Sequence, residues 1–321
     1  MTALENRLNL ERTSHSHVYL RDFWKSESRY DYLPNFHGDV TKSFLVSLLS
    51  ELNPAADYPI VINSVFHHQS LVQRTLNKIK GNRTSVQDSI RSYGHLKSSP
   101  PIDGFFNIWY TGENLRPPLF EPWSHFFSFD IDDYNVRNTY LPLWITRLAP
   151  DVAGAKKKQS ELTKMRDLNL NDQEREKFCA VIGNPEIIRM HFIESIQKQS
   201  QLDVFGKLGD KTANKHSTLQ KYNFNVCFES DLYPGYVTEK AIESWISGCI
   251  PIWRGLDHAR TLNPKAIIDV TGLKVNEAVE KVIEVSRNAD LVNQMKSEPI
   301  IQSQIDIDAI VGLIGSKYRQ R

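Results

Sequence analysis

Residues 223–255, NFNVCFESDLYPGYVTEKAIESWISGCIPIWRG, hold the pattern from which the rest of the chain is read. Phe224, Val226 and Phe228 alternate with smaller or polar residues, the period of a strand. A polar segment follows, broken by Pro234-Gly235. Val237, Ala241 and Trp245 then recur every fourth residue beside Ile242 and Ile246, which predicts an amphipathic helix. Gly248 suits the position just past its end. Ile250, Ile252 and Trp253 read as the next strand. A strand–loop–helix–strand unit of this kind feeds a parallel sheet.

The charged residues of this run gather where its helix begins. Glu239 suits the positive end of a helix dipole, and Lys240 does not unless an anion lies nearby. Backbone amides beside a lysine make a phosphate site. For a lone lysine, a solvated surface position is the alternative reading. Here Tyr236, Glu239 and Lys240 cluster beyond the carboxyl end of a strand, where open α/β sheets bind ligands.

Outward from this unit the same alternation continues. On its N-terminal side, Phe178 to Gly183 reads as a buried strand, and Asn184-Pro185 as the start of a helix carrying Arg189, Phe192 and Ile196. Asp203 to Gly206 is the next strand. On the C-terminal side, Ala266 to Val270 is a strand and Val275 to Val285 a helix. Earlier in the chain, His17–Phe23, Pro59–Phe66, Ile102–Tyr110 and Phe126–Phe129 read as strands. Helices are expected around Phe44–Leu49, at Leu71–Lys80 and at Tyr140–Leu148. Residues 149–177, with Lys156-Lys157-Lys158 and little periodicity, read as a linker or mobile segment. The expected organisation is a Rossmann-like domain over 1–148, that linker, a second Rossmann-like domain over 178–300, and a helical tail over 301–321.

Composition narrows the function. The chain has 321 residues, 39 Lys plus Arg and 38 Asp plus Glu, a formal net charge of +1. That balance gives no support to nucleic-acid or membrane-surface binding. Cys179, Cys227 and Cys249 each sit in an apolar run, so buried free thiols are expected, as in a reducing cytosol. No stretch has the length of a transmembrane helix, and the N-terminus lacks the apolar core of a signal peptide. A G-x-G-x-x-G fingerprint and a Walker motif are both missing, which argues against nicotinamide, flavin and P-loop enzymes. Asp130-Ile131-Asp132 is a D-x-D triplet but follows an aromatic run, and it reads as a strand-end turn. His67-His68 reads as loop.

A second constellation follows Tyr110: Thr111-Gly112-Glu113-Asn114-Leu115-Arg116-Pro117. A glutamate on a turn at a strand's carboxyl end can take a proton from a hydroxyl. The alternative is a loop glutamate paired with Arg116.

Together these stretches resemble the α-1,3/1,4-fucosyltransferases, family 10 of the glycosyltransferases, in their bacterial form. The resemblance rests on Phe228-Glu229-Ser230, Tyr236-Val237-Thr238-Glu239-Lys240, Gly248-Cys249-Ile250-Pro251, the Tyr110–Pro117 segment, and Arg189 with Phe192. It runs from about Pro59 to Leu256. Ser230 stands where the family usually has Asn, and a hydroxyl replaces only part of an amide's hydrogen bonding. The resemblance implies a GT-B-type α/β fold, two Rossmann-like domains facing each other across a cleft. It implies GDP-β-L-fucose as donor, an N-acetyllactosamine-type or related GlcNAc-containing glycan as acceptor, and inverting transfer. Glu113 would be the general base. Arg189 and Lys240 would hold the diphosphate, Glu239 would bond donor hydroxyls and support catalysis, and Tyr236, Ser230 and Glu229 would complete the donor site. Trp109, Trp123 and Asn114 are the expected acceptor contacts. No metal or other cofactor is required, although a divalent cation stimulating product release is compatible. A cytoplasmic location, free or peripheral to the inner membrane, goes with this reading. The alternatives are a GT-B enzyme using another sugar nucleotide and a non-catalytic glycan-binding protein on the same scaffold.

Overall fold

The computed structural model describes residues 3–23, 42–65, 98–131, 137–167, 175–206, 209–210 and 214–320. The expected helix at Leu71–Lys80, the His67-His68 loop and Asp132 lie outside them. The described residues form two compact units. One is built from the chain up to Leu141 together with the segment from Ile307 onward, the other from Pro142 to Asp306.

Among the described residues the first unit carries a sheet of six strands, β1 (Glu11–Arg12), β2 (Val18–Arg21), β3 (Ile60–Asn63), β4 (Phe106–Tyr110), β5 (His125–Ser128) and β6 (Asn138–Tyr140), in sequential order. Only the β1–β2 pair is antiparallel. β3, β4 and β5 are buried along their whole length. A parallel strand covered on both faces reads as an unbroken apolar run, and IVIN and FNIWY come close to that. The helix Ile307–Tyr318 belongs to this unit. Tyr318 stacks on Tyr58 with ring centroids 5.4 Å apart, and its hydroxyl donates to the Tyr58 carbonyl at 2.6 Å. The tail therefore packs as part of the first unit and not as a separate C-terminal appendage.

The second unit holds β7 (Lys177–Gly183), β8 (Leu202–Gly206), β9 (Tyr222–Phe228), β10 (Ile250–Arg254) and β11 (Ile268–Asp269), in the order β11-β10-β9-β7-β8. All its pairings are parallel, with Val226 opposite both Val181 and Ile252. Its core joins Val181, Phe224, Val226, Phe228 and Ile252 to Phe192 and Ile196 of one helix and Val279 and Val282 of another. From β7 the chain goes outward to β8, then returns across β7 to lay down β9 on the other side. That reversal opens a crevice at the carboxyl ends of β7 and β9, where open α/β sheets receive ligands.

Two glycines make these joins possible. Gly206 ends β8 at φ +82°, and a Cβ there would stand 3.2 Å from the Gly183 backbone at the end of β7. Gly248 ends the helix Lys240–Ile246 at φ +85°, and a side chain there would collide with the Arg175 guanidinium. Arg175 occupies that space because it donates to the carbonyls of Ser247 and Tyr222 at 3.0 and 2.9 Å.

Residues 149–177, expected to be a linker, instead include a helix over Val152–Leu162. Asp151 caps it by accepting from the Gly154 amide at 2.7 Å. Its buried positions are Val152, Ala155, Gln159 and Leu162. They are spaced as a helix requires, but a small residue and an amide hide the stripe. Gln159 is buried because it exchanges two hydrogen bonds with the backbone of Ile305. The preceding helix, Leu143–Leu148, also belongs to the second unit, so the unit boundary falls at Leu141 rather than 148. The three cysteines are free and buried as expected, and burial pushes the Cys227 thiol up to about 12.

Candidate active site

A cavity of about 370 Å³ lies at this crevice, floored by Gly183, Gly206 and Phe228 at the ends of β7, β8 and β9. Its walls are strongly charged. Arg147, Arg189, Lys215 and Lys240 contribute cations, and Glu186, Glu239 and Glu243 contribute carboxylates.

Glu229 lies beneath the wall, just past β9, and is 1% exposed. Its carboxylate accepts from the Thr238 amide at 2.9 Å and the Thr238 hydroxyl at 2.7 Å. It also accepts from the Lys240 ammonium at 2.9 Å. The loop 230–237 is thus closed at its base by one buried acid, which also sets the direction of Lys240. Burial lowers the Lys240 pKa, but Glu229 and Glu239 outweigh it and hold it above the ordinary lysine value. Lys240 carries its charge throughout the neutral range.

Arg189 comes from the first turn of the helix Ile187–Ile196 and is 4% exposed. Its guanidinium donates to the carbonyls of Asn184 and Phe228 at 2.6 and 2.7 Å, and Nη2 lies 3.1 Å from Glu186 Oε2. It braces the ends of β7 and β9 against each other while facing the cavity. The helix starts two residues later than Asn184-Pro185 suggests, with Glu186 at the N-cap.

Lys215 faces the cavity from the short helix Lys215–Leu219. Its Nζ lies 2.6 Å from Glu243 Oε2, with both side chains nearly out of solvent. Glu239 is one turn before Glu243. Its Oε2 is buried and accepts no hydrogen bond among the described residues. Burial raises the Glu239 pKa, yet Lys240, Lys215 and Arg147 together bring it below the ordinary value. Glu243 is raised, by burial and by Glu239, with Lys215 opposing.

Of the residues expected at the donor site, Arg189, Ser230, Glu239 and Lys240 line one cavity, and Glu229 underlies it. Tyr236 does not join them. The turn at Gly235, φ +84°, carries it inward, and it is 3% exposed. Tyr236 is packed within the loop and is not among the residues lining this cavity.

In the first unit, Glu113 follows β4 on a turn in which its amide donates to the Thr111 hydroxyl at 3.0 Å and that hydroxyl donates to the Glu113 carbonyl at 2.9 Å. Asn114 is half-buried beside it. Arg116 pairs with Asp130 at 2.9 Å, which gives the first acid of the D-x-D triplet a local partner. Trp109 and Trp123 are 4% and 1% exposed and pack with Val65 and Phe126. Both rings belong to a core cluster of the first unit. Among the described residues no group of three or more His, Cys, Asp or Glu side chains is arranged to hold a metal ion.

Sequence reasoning missed Lys215, Glu243, Glu186 and Arg147. Glu239 and Glu243 are four apart on one helix, and side chains so spaced share a face. That was the available signal. Lys215 had none, since its helix is one short turn and its partner is 28 residues away.

Two parallel-sheet α/β units, one with a charged cavity at its topological reversal, define a GT-B-type scaffold. The particular family follows from comparison. Residues 172–295, all within the second unit, match the family described as glycosyltransferase family 10 (fucosyltransferase) C-term. An alpha-(1,3)-fucosyltransferase of Helicobacter pylori is 32% identical over 244 residues, 66% of this chain and 49% of that protein. A human 3-galactosyl-N-acetylglucosaminide 4-alpha-L-fucosyltransferase is 33% identical over 191 residues, 54% of this chain and 48% of that protein. The chain thus spans about half the length of these curated relatives. Crystal structures of an alpha1,3-fucosyltransferase with GDP and with GDP-fucose share the fold at TM-score 0.64 and 19% identity. Each match covers 94% of this chain, and 89% and 90% of the respective solved chains. The resemblance read from the sequence and the expected GT-B-type fold are both borne out. No helix among the described residues is long and apolar enough to cross a membrane.

Proposed function

We propose that this protein moves L-fucose from GDP-β-L-fucose to a hydroxyl of a GlcNAc-containing glycan, in α-1,3 or α-1,4 linkage, with inversion at the anomeric carbon. The observation that carries the reading is the cavity at the carboxyl ends of β7 and β9, lined by Arg189, Lys240 and Glu239 within the matched family domain. A diphosphate leaving group gains negative charge as its bond to the sugar breaks, and fixed cations in a partly water-excluded cavity stabilise that charge. Lys240, already directed by Glu229, and Arg189, on the first turn of its helix, are suited to it. Glu239 accepts hydrogen bonds from donor hydroxyls.

Glu113 acts as general base. The acceptor O–H proton passes to its carboxylate, the oxygen attacks the fucose anomeric carbon, and the carbon–oxygen bond to the β-phosphate breaks with its electron pair leaving on GDP. Charge on the leaving group is met by protein cations, so the step needs no metal. A divalent cation, if one binds, would assist product release, and a metal chelator should leave single-turnover transfer intact. The reaction belongs to the cytoplasmic side, in solution or at the inner-membrane surface.

The test is incubation with GDP-fucose and a panel of type 1 and type 2 disaccharides, followed by mass and linkage analysis, with GDP-mannose and UDP-sugars as competing donors. Transfer from GDP-fucose alone is the expected result, and linkage at O3 or O4 assigns specificity. Preference for another sugar nucleotide, or binding of glycan with no donor turnover, overturns the reading.

A further inference from the structure

One wall of the cavity brings Glu239 and Glu243 together with Lys215, Lys240 and Arg147. Glu239 and Glu243 lie one helical turn apart, a like-charge pair that repels. Glu239 has one oxygen out of water and without a hydrogen bond among the described residues. A buried carboxylate in that condition normally takes up a proton unless cations oppose it. Lys240 is one such cation, but it is already shared with Glu229 and Thr238. Arg147 reaches Glu239 from the helix Leu143–Leu148. Lys215 is the third, and its Nζ lies 2.6 Å from the competing carboxylate of Glu243. Its side chain is 12% exposed and that of Glu243 is 9%.

We propose that Lys215, locked to Glu243, is a positioning residue for the donor: it lets two adjacent carboxylates stay charged, so that Glu239 remains a hydrogen-bond acceptor for the hydroxyls of a sugar nucleotide in the cavity. The inference rests on the reading of that cavity as a donor site. Lys215 does not touch the reacting atoms in this scheme, and Glu243 serves to hold it in place. The charged groups acting on Glu239 are Lys240, Lys215 and Arg147, with Glu243 coupled to it and Glu229 and Arg189 acting in turn on Lys240.

Four proteins test this: wild type, Lys215→Met, Lys215→Arg and the double variant Lys215→Met/Glu243→Gln. GDP-fucose affinity is measured by calorimetry from pH 5.5 to 8.5, and turnover is followed across the same range. Lys215→Met should lose about tenfold or more in donor affinity at neutral pH, the size of one charge-assisted contact. The loss should shrink as pH rises and both carboxylates ionise again. Lys215→Arg should keep most of the affinity. The double variant should recover most of it as well, because Glu239 no longer faces a like charge.

A loss in Lys215→Met that is uniform over pH and not relieved by Glu243→Gln overturns the inference in favour of Lys215 binding the diphosphate itself. An unchanged affinity in Lys215→Met also overturns it. Thermal stability of the same proteins across pH, with no nucleotide added, reads the charge lock separately. If wild type ignores GDP-fucose while Lys215→Met is destabilised most at high pH, where both carboxylates are ionised, the lock stands and the donor reading fails. If that stability difference is absent, the lock itself fails.

Discussion

Replacing Glu229 by Gln tests how the loop carrying the cavity's lysine is held. In the native arrangement a single buried carboxylate accepts three hydrogen bonds, from the Thr238 amide at 2.9 Å, the Thr238 hydroxyl at 2.7 Å and the Lys240 ammonium at 2.9 Å. Glutamine keeps the shape but replaces one acceptor oxygen by an NH2 group. Either orientation then sets a donor against a donor. Bonds to a charged group are worth about 1.5–3 kcal/mol each, and breaking a fully buried ion pair costs about 3–5 kcal/mol. The Glu229 side chain is 0% exposed but that of Lys240 is 26% exposed, so water recovers part of the loss. A destabilisation of about 3 kcal/mol is expected, a drop in Tm of about 6–12 °C for a unit of this size. Differential scanning calorimetry measures it. Adding Lys240→Met to Glu229→Gln should restore part of the stability, since neither charge then lacks its partner. A Glu229→Gln protein within about 1 kcal/mol of wild type, or a double variant whose cost is the simple sum, would refute the claim that this acid anchors the loop.

Four further outcomes are expected. Lys240→Ala should weaken GDP binding and nearly abolish transfer, measured by calorimetry and donor turnover, since a cation facing the leaving group is removed. Glu113→Gln should keep GDP affinity while the transfer rate falls on the order of a hundredfold or more, the range of general-base catalysis. Ser230→Asn should leave donor affinity equal or higher, because the amide adds hydrogen-bonding capacity at the cavity wall. The last concerns pH. His125 is 0% exposed, its Nε2 lies 2.8 Å from the Thr139 hydroxyl, and burial followed by the Lys317 charge depresses its pKa to about 3. The unfolded chain therefore binds a proton below about pH 6.5 that the folded chain refuses, and stability is lost progressively from there down to about pH 3. Between pH 6.5 and pH 5 that loss is about 2 kcal/mol, and urea titrations should find His125→Gln free of this dependence.

The parallel strands were legible because apolar runs such as IVIN and FCAVI bury both faces and leave few alternatives. The core of the charged cavity was legible too, since Glu229, Glu239 and Lys240 fall within one short stretch whose strand and helix periods are clear. What escaped has identifiable causes. The helix Val152–Leu162 buries Ala155 and Gln159, residues that periodicity does not count as core. The burial of Trp109 and Trp123 could not be read from residue type, since a large aromatic serves a core and a binding face equally well. Lys215 and Arg147 reach the cavity from segments that share no local pattern with Lys240, and only the sheet order brings them together.

The wall of that cavity bears on how a nucleotide arrives. Four cationic side chains share the site with three glutamates at its surface and a fourth just under Lys240. At a distance their fields largely cancel, and the whole chain carries only +1. An approaching polyanion is therefore not steered from afar, and association should depend little on ionic strength, unlike capture by an open basic patch. Discrimination then falls to direction at close range, where a ligand must match several fixed partners at once. Inorganic phosphate, which meets few of them, should compete poorly.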